Sequence, residues 1–239
     1  MQQVLRIGHR GAAGHALENT LSAIQKGIAL GVDLIEIDVR RTADEVLVVL
    51  HDRTVNRTTN GRGRIDQLYL QDVRKLKAES GDGIPTLQEA LTIAQGRTGL
   101  ILELKVSGVA RQAVESVHAT GFKDPVIYAS FIHDELTEVR AADPEAARMV
   151  LFGSLPRAPV AYAMRYGPSH VGLRHTTATR RLVDAFHRAG LTVFVYTANT
   201  PRHIRQALSL DIDGVISDFP DRIGKEMEGS IPSLLAAKP

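Results

Sequence analysis

Carboxylates occur in two short motifs whose spacing suits the binding of a hard cation. Glu36 and Asp38 lie two residues apart in an apolar run, and Glu103 lies two residues before Lys105 in another. Alternate side chains of a strand point to the same face, so each motif presents its charged groups together. Buried carboxylates are costly unless a cation neutralises them. Because the chain has no Cys, these oxygens favour Mg²⁺ or Ca²⁺ over zinc, and a structural ion pair through Lys105 is the alternative.

A histidine and an arginine end the first apolar run of the chain. His9 and Arg10 lie between two glycines, which allow a tight turn and the close approach of a ligand. The guanidinium of Arg10 has the fork of donors that suits phosphate oxygens. An imidazole titrates near neutral pH, so His9 could transfer a proton beside such a group. The alternative for His9 is a hydrogen-bonded structural role at a strand end.

A second histidine, His51, ends the run that follows Asp38. Residues 41–45 separate the two runs, which is too short for a crossover helix and predicts a hairpin. With a two-residue turn at Asp44 and Glu45, His51 lies opposite Asp38. This turn lacks the glycine that the tightest hairpins prefer. Two imidazoles on either side of a bound anion could then serve as general base and general acid.

An arginine-rich stretch follows His51. It lies within residues 53–85, a segment with many turn residues that we expect to be a small insertion, and its members are Arg53, Arg57, Arg62 and Arg64. Such a run is usually a solvated face. A second interpretation is attraction of an anionic substrate. Nucleic-acid binding ranks third, because no aromatic residues alternate with the arginines.

The elements that must position these residues are short strands that alternate with helical patterns, an arrangement typical of parallel pairing. Eight runs cover residues 4–8, 33–40, 99–105, 125–130, 147–152, 170–174, 191–197 and 213–217. They favour an α/β fold of the (β/α)8 TIM-barrel class over an open doubly wound sheet, and active sites of that barrel lie at the carboxyl ends of the strands. The absence of Gly-x-Gly-x-x-Gly after the first run counts against a dinucleotide fold. We expect one catalytic domain over residues 1–223, with a C-terminal tail over residues 224–239.

Composition limits the remaining possibilities. The 239 residues include 29 Lys or Arg and 27 Asp or Glu, for a formal charge of +2. This balance argues against a dedicated nucleic-acid binder. Without Cys, a disulfide scaffold, an iron–sulfur cluster and a Cys nucleophile are excluded. The chain shows no signal-peptide pattern and no long apolar run, so we expect a cytoplasmic protein without stable membrane insertion.

Taken in order along the chain, the motifs closely resemble those of the glycerophosphodiester phosphodiesterase family. Each motif alone is weak evidence, but the ordered set is specific and spans residues 5–223. The matching motifs are His9-Arg10-Gly11, Glu18-Asn19-Thr20, Glu36-x-Asp38, His51-Asp52, Arg57-Thr58-Thr59-Asn60-Gly61, Ile84-Pro85-Thr86-Leu87-x-Glu89, Glu103-x-Lys105, Thr197-x-Asn199 and Asp213-Gly214-Val215-Ile216-Ser217-Asp218-Phe219-Pro220.

The resemblance implies metal-dependent hydrolysis of a small glycerophosphodiester to glycerol 3-phosphate and an alcohol. It implies one divalent cation, Mg²⁺ or Ca²⁺, with Mn²⁺ as a further candidate. In the family picture, the glycerol 2-hydroxyl attacks first and water then opens a cyclic phosphate. Carried over by position, the implied roles are metal ligands for Glu36, Asp38 and Glu103, acid and base for His9 and His51, and phosphate binding for Arg10 and Lys105. Tyr196 stands where the family often has Trp, and we expect it to form an aromatic wall.

Two other functions stay open at this point. The first is a phospholipase D-like or phosphoinositide phospholipase-like enzyme on the same barrel, which the lack of a lipid-facing apolar patch disfavours. The second is a non-catalytic protein that captures anions. The combination of acid, base and metal-ligand residue types argues against mere capture.

Overall fold

Eight parallel strands close into a barrel, as the sequence predicts. The computed structural model describes residues 4–229, except for the side chains of residues 228 and 229. The strands are β1 (Leu5–Gly8), β2 (Leu34–Arg41), β3 (Leu47–Val49), β4 (Gly99–Leu104), β5 (Val126–Ser130), β6 (Ala147–Phe152), β7 (His170–Arg174), β8 (Thr192–Tyr196) and β9 (Gly214–Ser217). Their order is β1-β9-β8-β7-β6-β5-β4-β2, and pairing of β1 with β2 closes the ring. Among these strands only β3 is antiparallel, and it forms a hairpin with β2.

Helices alternate with the barrel strands. They are α1 (Leu21–Ala29), α2 (Leu70–Val73), α3 (Leu87–Ala94), α4 (Ala110–Thr120), α5 (Asp134–Ala142), α6 (Pro159–Met164), α7 (Arg180–Arg188), α8 (Pro201–Leu208) and α9 (Pro220–Gly229). Of these, α2 belongs to the insertion and α9 follows the last strand. The hydroxyl of Thr20 caps α1, and Thr86 with Glu89 forms a capping box on α3. The tail predicted from residue 224 onward is helical as far as Gly229, and residues 230–239 lie outside the described part.

Alternation along the strands divides the core into two layers. Leu34, Ile101 and Phe194 face the inside of the barrel and fill its lower part. Ile35 and Ile37 face outward and pack with the helices. Each fully buried side chain of this kind stabilises the fold by about 1.5–3 kcal/mol. Because of this alternation, one face of β2 points into the barrel. Near the carboxyl end of the strand that face carries the charged residues of the site.

The hairpin differs from the sequence prediction by one residue. Leu50 rather than His51 lies opposite Asp38, and the Leu50 N–H donates to the Asp38 carbonyl at 2.9 Å. The turn comprises residues 43–45, of which only Glu45 adopts a positive φ, 62°. The favoured two-residue turn needs positive φ at both positions, or glycine at one, whereas this longer turn needs a single left-handed residue. His51 therefore lies just beyond the paired segment.

Residues 53–85 fold against the hairpin as a small unit with its own apolar cluster. This cluster comprises Val48, Leu50, Val55, Ile65, Val73 and Ile84. An antiparallel bridge between Thr54 and Arg64 ties the start of the unit together. Within residues 4–229, no helix is both long enough and apolar enough to cross a bilayer.

Candidate active site

Neighbouring strands bring three carboxylates together at the mouth of the barrel. Asp38 on β2 and Glu103 on β4 are direct register partners, and Glu36 lies two residues before Asp38 on the same face. One oxygen from each side chain lies within 4.8 Å of the others. All three residues are buried, with exposed fractions of 4% for Glu36, 1% for Asp38 and 9% for Glu103. The structure therefore assembles the predicted acidic cluster.

Two oxygens in this cluster lack hydrogen-bond partners. Oε1 of Glu36 and Oδ1 of Asp38 are buried and accept no hydrogen bond from the described residues. A buried, unsatisfied carboxylate oxygen normally costs about 1–3 kcal/mol or more. A divalent cation with an oxygen ligand shell would satisfy these atoms and offset the negative charge. The residues present thus fit a hard cation.

The electrostatics of the cluster support the same fit. Burial and the nearby charge of Asp38 raise the pKa of Glu36 to about 8. Burial and Asp38 also raise the pKa of Glu103. Burial alone would raise the pKa of Asp38, but Lys105 and Arg10 outweigh it and lower that pKa. Without a cation the cluster therefore does not hold all its charge at neutral pH, because like charges this close oppose each other.

Lys105 forms the ion pair that the sequence leaves open as an alternative to a metal. Its Nζ donates to Oε1 of Glu103 at 2.5 Å and lies 3.3 Å from Oδ1 of Asp38. Burial opposes its charge, but Asp38 and Glu103 raise the pKa of Lys105 overall. One ammonium faces three carboxylates, so the ion pair neutralises only part of the cluster. Lys105 and a cation are therefore compatible.

Arg10 enters the site from the turn after β1. Its backbone N–H donates to Oε2 of Glu36 at 2.9 Å. Its Nη1 donates to Oε1 of Glu18 at 2.7 Å, and its Nε lies 3.4 Å from Oδ2 of Asp38. This Nε is buried without a hydrogen-bond acceptor among residues 4–229. Arg10 thus has an unused donor beside the acidic cluster, as a phosphate-binding role requires.

Asp218, to which the sequence assigns no role of its own, orients His9. The Nδ1 of His9 lies 2.5 Å from Oδ1 of Asp218, which follows β9. The other carboxylate oxygen accepts from Nδ2 of Asn199 at 2.6 Å. A carboxylate on Nδ1 holds the proton there, so Nε2 is left as the acceptor. This Nε2 is 3.8 Å from Oε2 of Glu36.

His51 has a similar arrangement. Its Nδ1 lies 2.7 Å from Oδ1 of Asp52. Arg57 donates to Asp52 through Nε at 2.7 Å and to Glu18 through Nη2 at 2.6 Å. Glu18 in turn accepts from Arg10. Arg57, which belongs to the stretch expected to be a solvated face, instead connects the His51 pair to the arginine of the site.

The two imidazoles differ in charge preference. Burial disfavours the charged form of His9, but Asp218 and Glu36 outweigh it and raise its pKa. Burial lowers the pKa of His51, and Asp38 and Asp52 compensate only in part. Both rings line one cavity of about 270 Å³ together with Arg10 and Lys105. The structure therefore brings the predicted acid–base pair and the predicted phosphate-binding residues to one place.

Aromatic rings form the opposite wall of this cavity. Tyr196 lines it, as predicted, and packs edge-to-face on Phe131 with ring centroids 6.0 Å apart. The Tyr196 hydroxyl donates to the Phe152 carbonyl at 2.6 Å, so the ring rather than the hydroxyl is presented to the cavity. Phe131 and Arg174 also line the wall and were not predicted. Their positions directly after β5 and at the end of β7 are the signal that could have indicated them.

The chain is similar to known phosphodiesterases over nearly its whole length. Residues 9–222 match the model of the glycerophosphoryl diester phosphodiesterase family. A glycerophosphodiester phosphodiesterase of Bacillus altitudinis is 30% identical over 236 residues, which cover 92% of this chain and 96% of that protein. One from Caldanaerobacter subterraneus subsp. tengcongensis is 29% identical, with the same shares covered.

A solved structure is similar over the whole barrel. It is a phosphodiesterase of Oleispira antarctica in complex with the product sn-glycerol-3-phosphate. The TM-score is 0.87 at 28% identity, and the alignment covers 93% of this chain and 96% of that one.

Proposed function

The chain belongs to the glycerophosphoryl diester phosphodiesterase family and is a glycerophosphodiester phosphodiesterase, and we propose that it uses one divalent cation and two histidines to release sn-glycerol 3-phosphate and an alcohol. The product bound by the similar Oleispira antarctica enzyme supports this choice of product. The observation that carries the proposal is the buried acidic cluster with unsatisfied oxygens, flanked by two imidazoles in one cavity.

We propose Glu36, Asp38 and Glu103 as the residues that hold the cation. A bound Mg²⁺, Ca²⁺ or Mn²⁺ would offset the charge that develops on the phosphoryl oxygens. Arg10 and Lys105 bind those oxygens directly, since both present donors beside the cluster. These two side chains thereby place the phosphate between the imidazoles and the acidic residues. Tyr196 and Phe131 exclude water from the opposite side.

The histidines transfer the protons of the reaction. In the first step the glycerol 2-hydroxyl oxygen forms a bond to phosphorus, and the bond from phosphorus to the alcohol oxygen breaks. One imidazole takes the hydroxyl proton at Nε2, and the other donates a proton to the leaving oxygen. Water then opens the cyclic phosphate with the two roles exchanged. Asp218 and Asp52 hold each ring with Nδ1 protonated, which keeps Nε2 available for both steps.

A substrate panel tests the proposal. Purified protein is stripped with a chelator, then assayed for sn-glycerol 3-phosphate release from glycerophosphocholine, glycerophosphoethanolamine and glycerophosphoglycerol with Mg²⁺, Ca²⁺ or Mn²⁺ added back separately. We expect the stripped protein to be inactive and at least one cation to restore turnover. Intact lysophospholipids in parallel test the phospholipase D-like alternative. Undiminished turnover in the stripped protein would refute the cation, and turnover of lysophospholipids alone would refute the substrate.

A further inference from the structure

A second cavity adjoins the active site on the far side of Lys105. It has a volume of about 290 Å³, and Lys105 lines both this cavity and the active site. We call it the arginine cavity. Its charged lining residues are Arg40, Arg41, Arg53, Arg64, Asp66 and Lys105. Five cations and one carboxylate give this space a strongly positive character that the mechanism described above does not use.

Arg40 is the buried member of this set. It follows Asp38 by two residues on β2, so its side chain points to the same face as the acidic cluster. The residue is only 6% exposed. Its Nε and Nη2 both donate to the carbonyl of His51, at 2.8 and 2.7 Å. Among the described residues, the third nitrogen, Nη1, has no acceptor, and Arg40 has no ion-pair partner. Arg40 therefore keeps an unused donor beside the cavity that it lines.

Arg53 is the exposed member that also lacks an ion pair. Arg41 pairs with Glu45 at 2.7 Å, and Arg64 holds Asp66 through Nε and Nη2. Arg53 has no carboxylate within ion-pair distance in residues 4–229. Burial lowers the pKa of Arg40, Asp38 opposes that effect, and the charge of Arg53 adds to the lowering, so the two arginines lie close enough to act together. Neither guanidinium has a carboxylate within ion-pair distance among residues 4–229, and such groups lining one cavity suit an anion.

The chemistry of the active-site walls indicates the same kind of occupant. Lys105 lies over the Phe131 ring, 5.9 Å from its centroid, and Arg174 is close enough to Tyr196 to oppose the effect of burial on the pKa of that phenol. Cations therefore already occupy the surroundings of both rings. A quaternary ammonium head group would meet like charges at these rings. A phosphate placed in the arginine cavity would instead meet guanidinium groups that have no ion-pair partner among the described residues.

From these observations we propose that the arginine cavity binds a second anionic group on the alcohol part of the substrate, so that the enzyme prefers glycerophosphodiesters whose head group carries a further phosphate. This inference rests on the proposed function, since it concerns the head group of the same substrate. The scissile phosphate lies beside Lys105 in the active site, and the second phosphate lies beyond Lys105 against Arg40 and Arg53.

A matched substrate pair tests the inference. Glycerophosphoinositol and glycerophosphoinositol 4-phosphate share the scissile diester and differ by one phosphate. We expect kcat/KM at low ionic strength to be about tenfold higher for the phosphorylated substrate, as one charge-assisted contact supplies. The Arg53→Gln variant should lose most of this preference and keep its kcat/KM on glycerophosphoinositol. Arg53 is exposed, so the substitution leaves the fold intact.

Arg62→Gln is the matched control. Arg62 is an exposed arginine of the same insertion, and it does not line the cavity. We expect this variant to keep the full preference for the phosphorylated substrate, which added salt should reduce in both wild type and control. Equal kcat/KM for the two substrates, or an equal loss in Arg62→Gln and Arg53→Gln, would overturn the arginine cavity and leave the proposed function standing. Failure to hydrolyse either inositol substrate, with glycerophosphocholine or another diester of the panel still hydrolysed, would overturn this inference alone. Failure on every diester would overturn the proposed function and this inference with it.

Discussion

Replacing Asp218 with Asn should reverse the tautomer of His9. The wild-type carboxylate accepts from His9 Nδ1 on one oxygen and from Asn199 Nδ2 on the other. An amide in its place offers only one acceptor. If that oxygen faces His9, the new NH₂ group meets the NH₂ group of Asn199. If it faces Asn199, the new NH₂ group donates to His9 Nδ1 and forces the proton onto Nε2.

The second arrangement avoids two opposed donors, and it removes the Nε2 acceptor that the proposed mechanism needs. We therefore expect Asp218→Asn to lower kcat by about 10²–10⁴-fold, the contribution of one positioned acid or base. The double variant Asp218→Asn with Asn199→Asp should recover about tenfold or more. In it the carboxylate introduced at position 199 accepts from the amide introduced at position 218, and the oxygen of that amide again accepts from His9.

Steady-state kinetics of glycerophosphodiester hydrolysis measures both variants, and thermal unfolding monitors the fold. Asp221→Asn is the matched control, because Asp221 also accepts from a histidine, His15 at 2.6 Å, on the same side of the barrel. We expect this control to stay within about twofold of wild type. Wild-type kcat in Asp218→Asn, or a double variant no faster than the single one, would refute the tautomer argument.

Four further predictions concern the second imidazole, the cation, a half-buried histidine and the core. His51→Ala should lose about 10²–10⁴-fold in kcat with the fold kept, and kinetics combined with circular dichroism checks both expectations. Mg²⁺ or Ca²⁺ should raise the Tm of the wild type and should not raise that of Glu36→Gln, because the variant loses one proposed ligand of the cation. Differential scanning calorimetry measures the shift. An equal rise in both proteins would contradict the proposed ligand. Burial lowers the pKa of His170 to about 4, so between about pH 6.5 and 4 the unfolded chain binds a proton that the folded chain refuses, and stability falls as the pH drops. Urea titrations measure how much the free energy of unfolding drops between pH 7 and pH 5. We expect this drop to be about 1–2 kcal/mol smaller in His170→Gln than in wild type, and an equal drop in both proteins would refute the role of His170. Phe186→Ala, which empties a fully buried position, should reduce the free energy of unfolding by about 3–5 kcal/mol in the same titration at pH 7.

The acidic cluster could be predicted from local sequence because it follows from two simple periodicities. Carboxylates at alternate positions share a strand face, and neighbouring parallel strands end at the same rim of the barrel. Asp38 and Glu103 are therefore register partners. The barrel itself was predictable for a related reason, since alternating strand and helix patterns leave parallel pairing as the solution.

The hairpin shows where local reasoning stops. The turn has three residues, one more than the tight turn predicted from sequence. A two-residue turn would need more than one left-handed residue or a glycine, and here only Glu45 is left-handed. A shift of one residue in register moves every side chain of a strand to the other face. Sequence alone does not report the length of a turn that lacks glycine, so the partner of Asp38 was misassigned.

The partners of the histidines proposed as acid and base depend on chain closure over long distances. His9 and Asp218 are separated by 209 positions, and pairing of β1 with β9 brings them within 2.5 Å. The pairing of Arg57 with Glu18, and the absence of an ion pair at Arg40 and Arg53 within the described residues, likewise arise where the insertion folds over the barrel rim. Residue types and spacing show which chemistry a chain carries, because they act through local backbone geometry. Which charge meets which partner is decided only when the closed barrel brings distant segments into contact, since the interaction energy of charged groups depends on their separation in space.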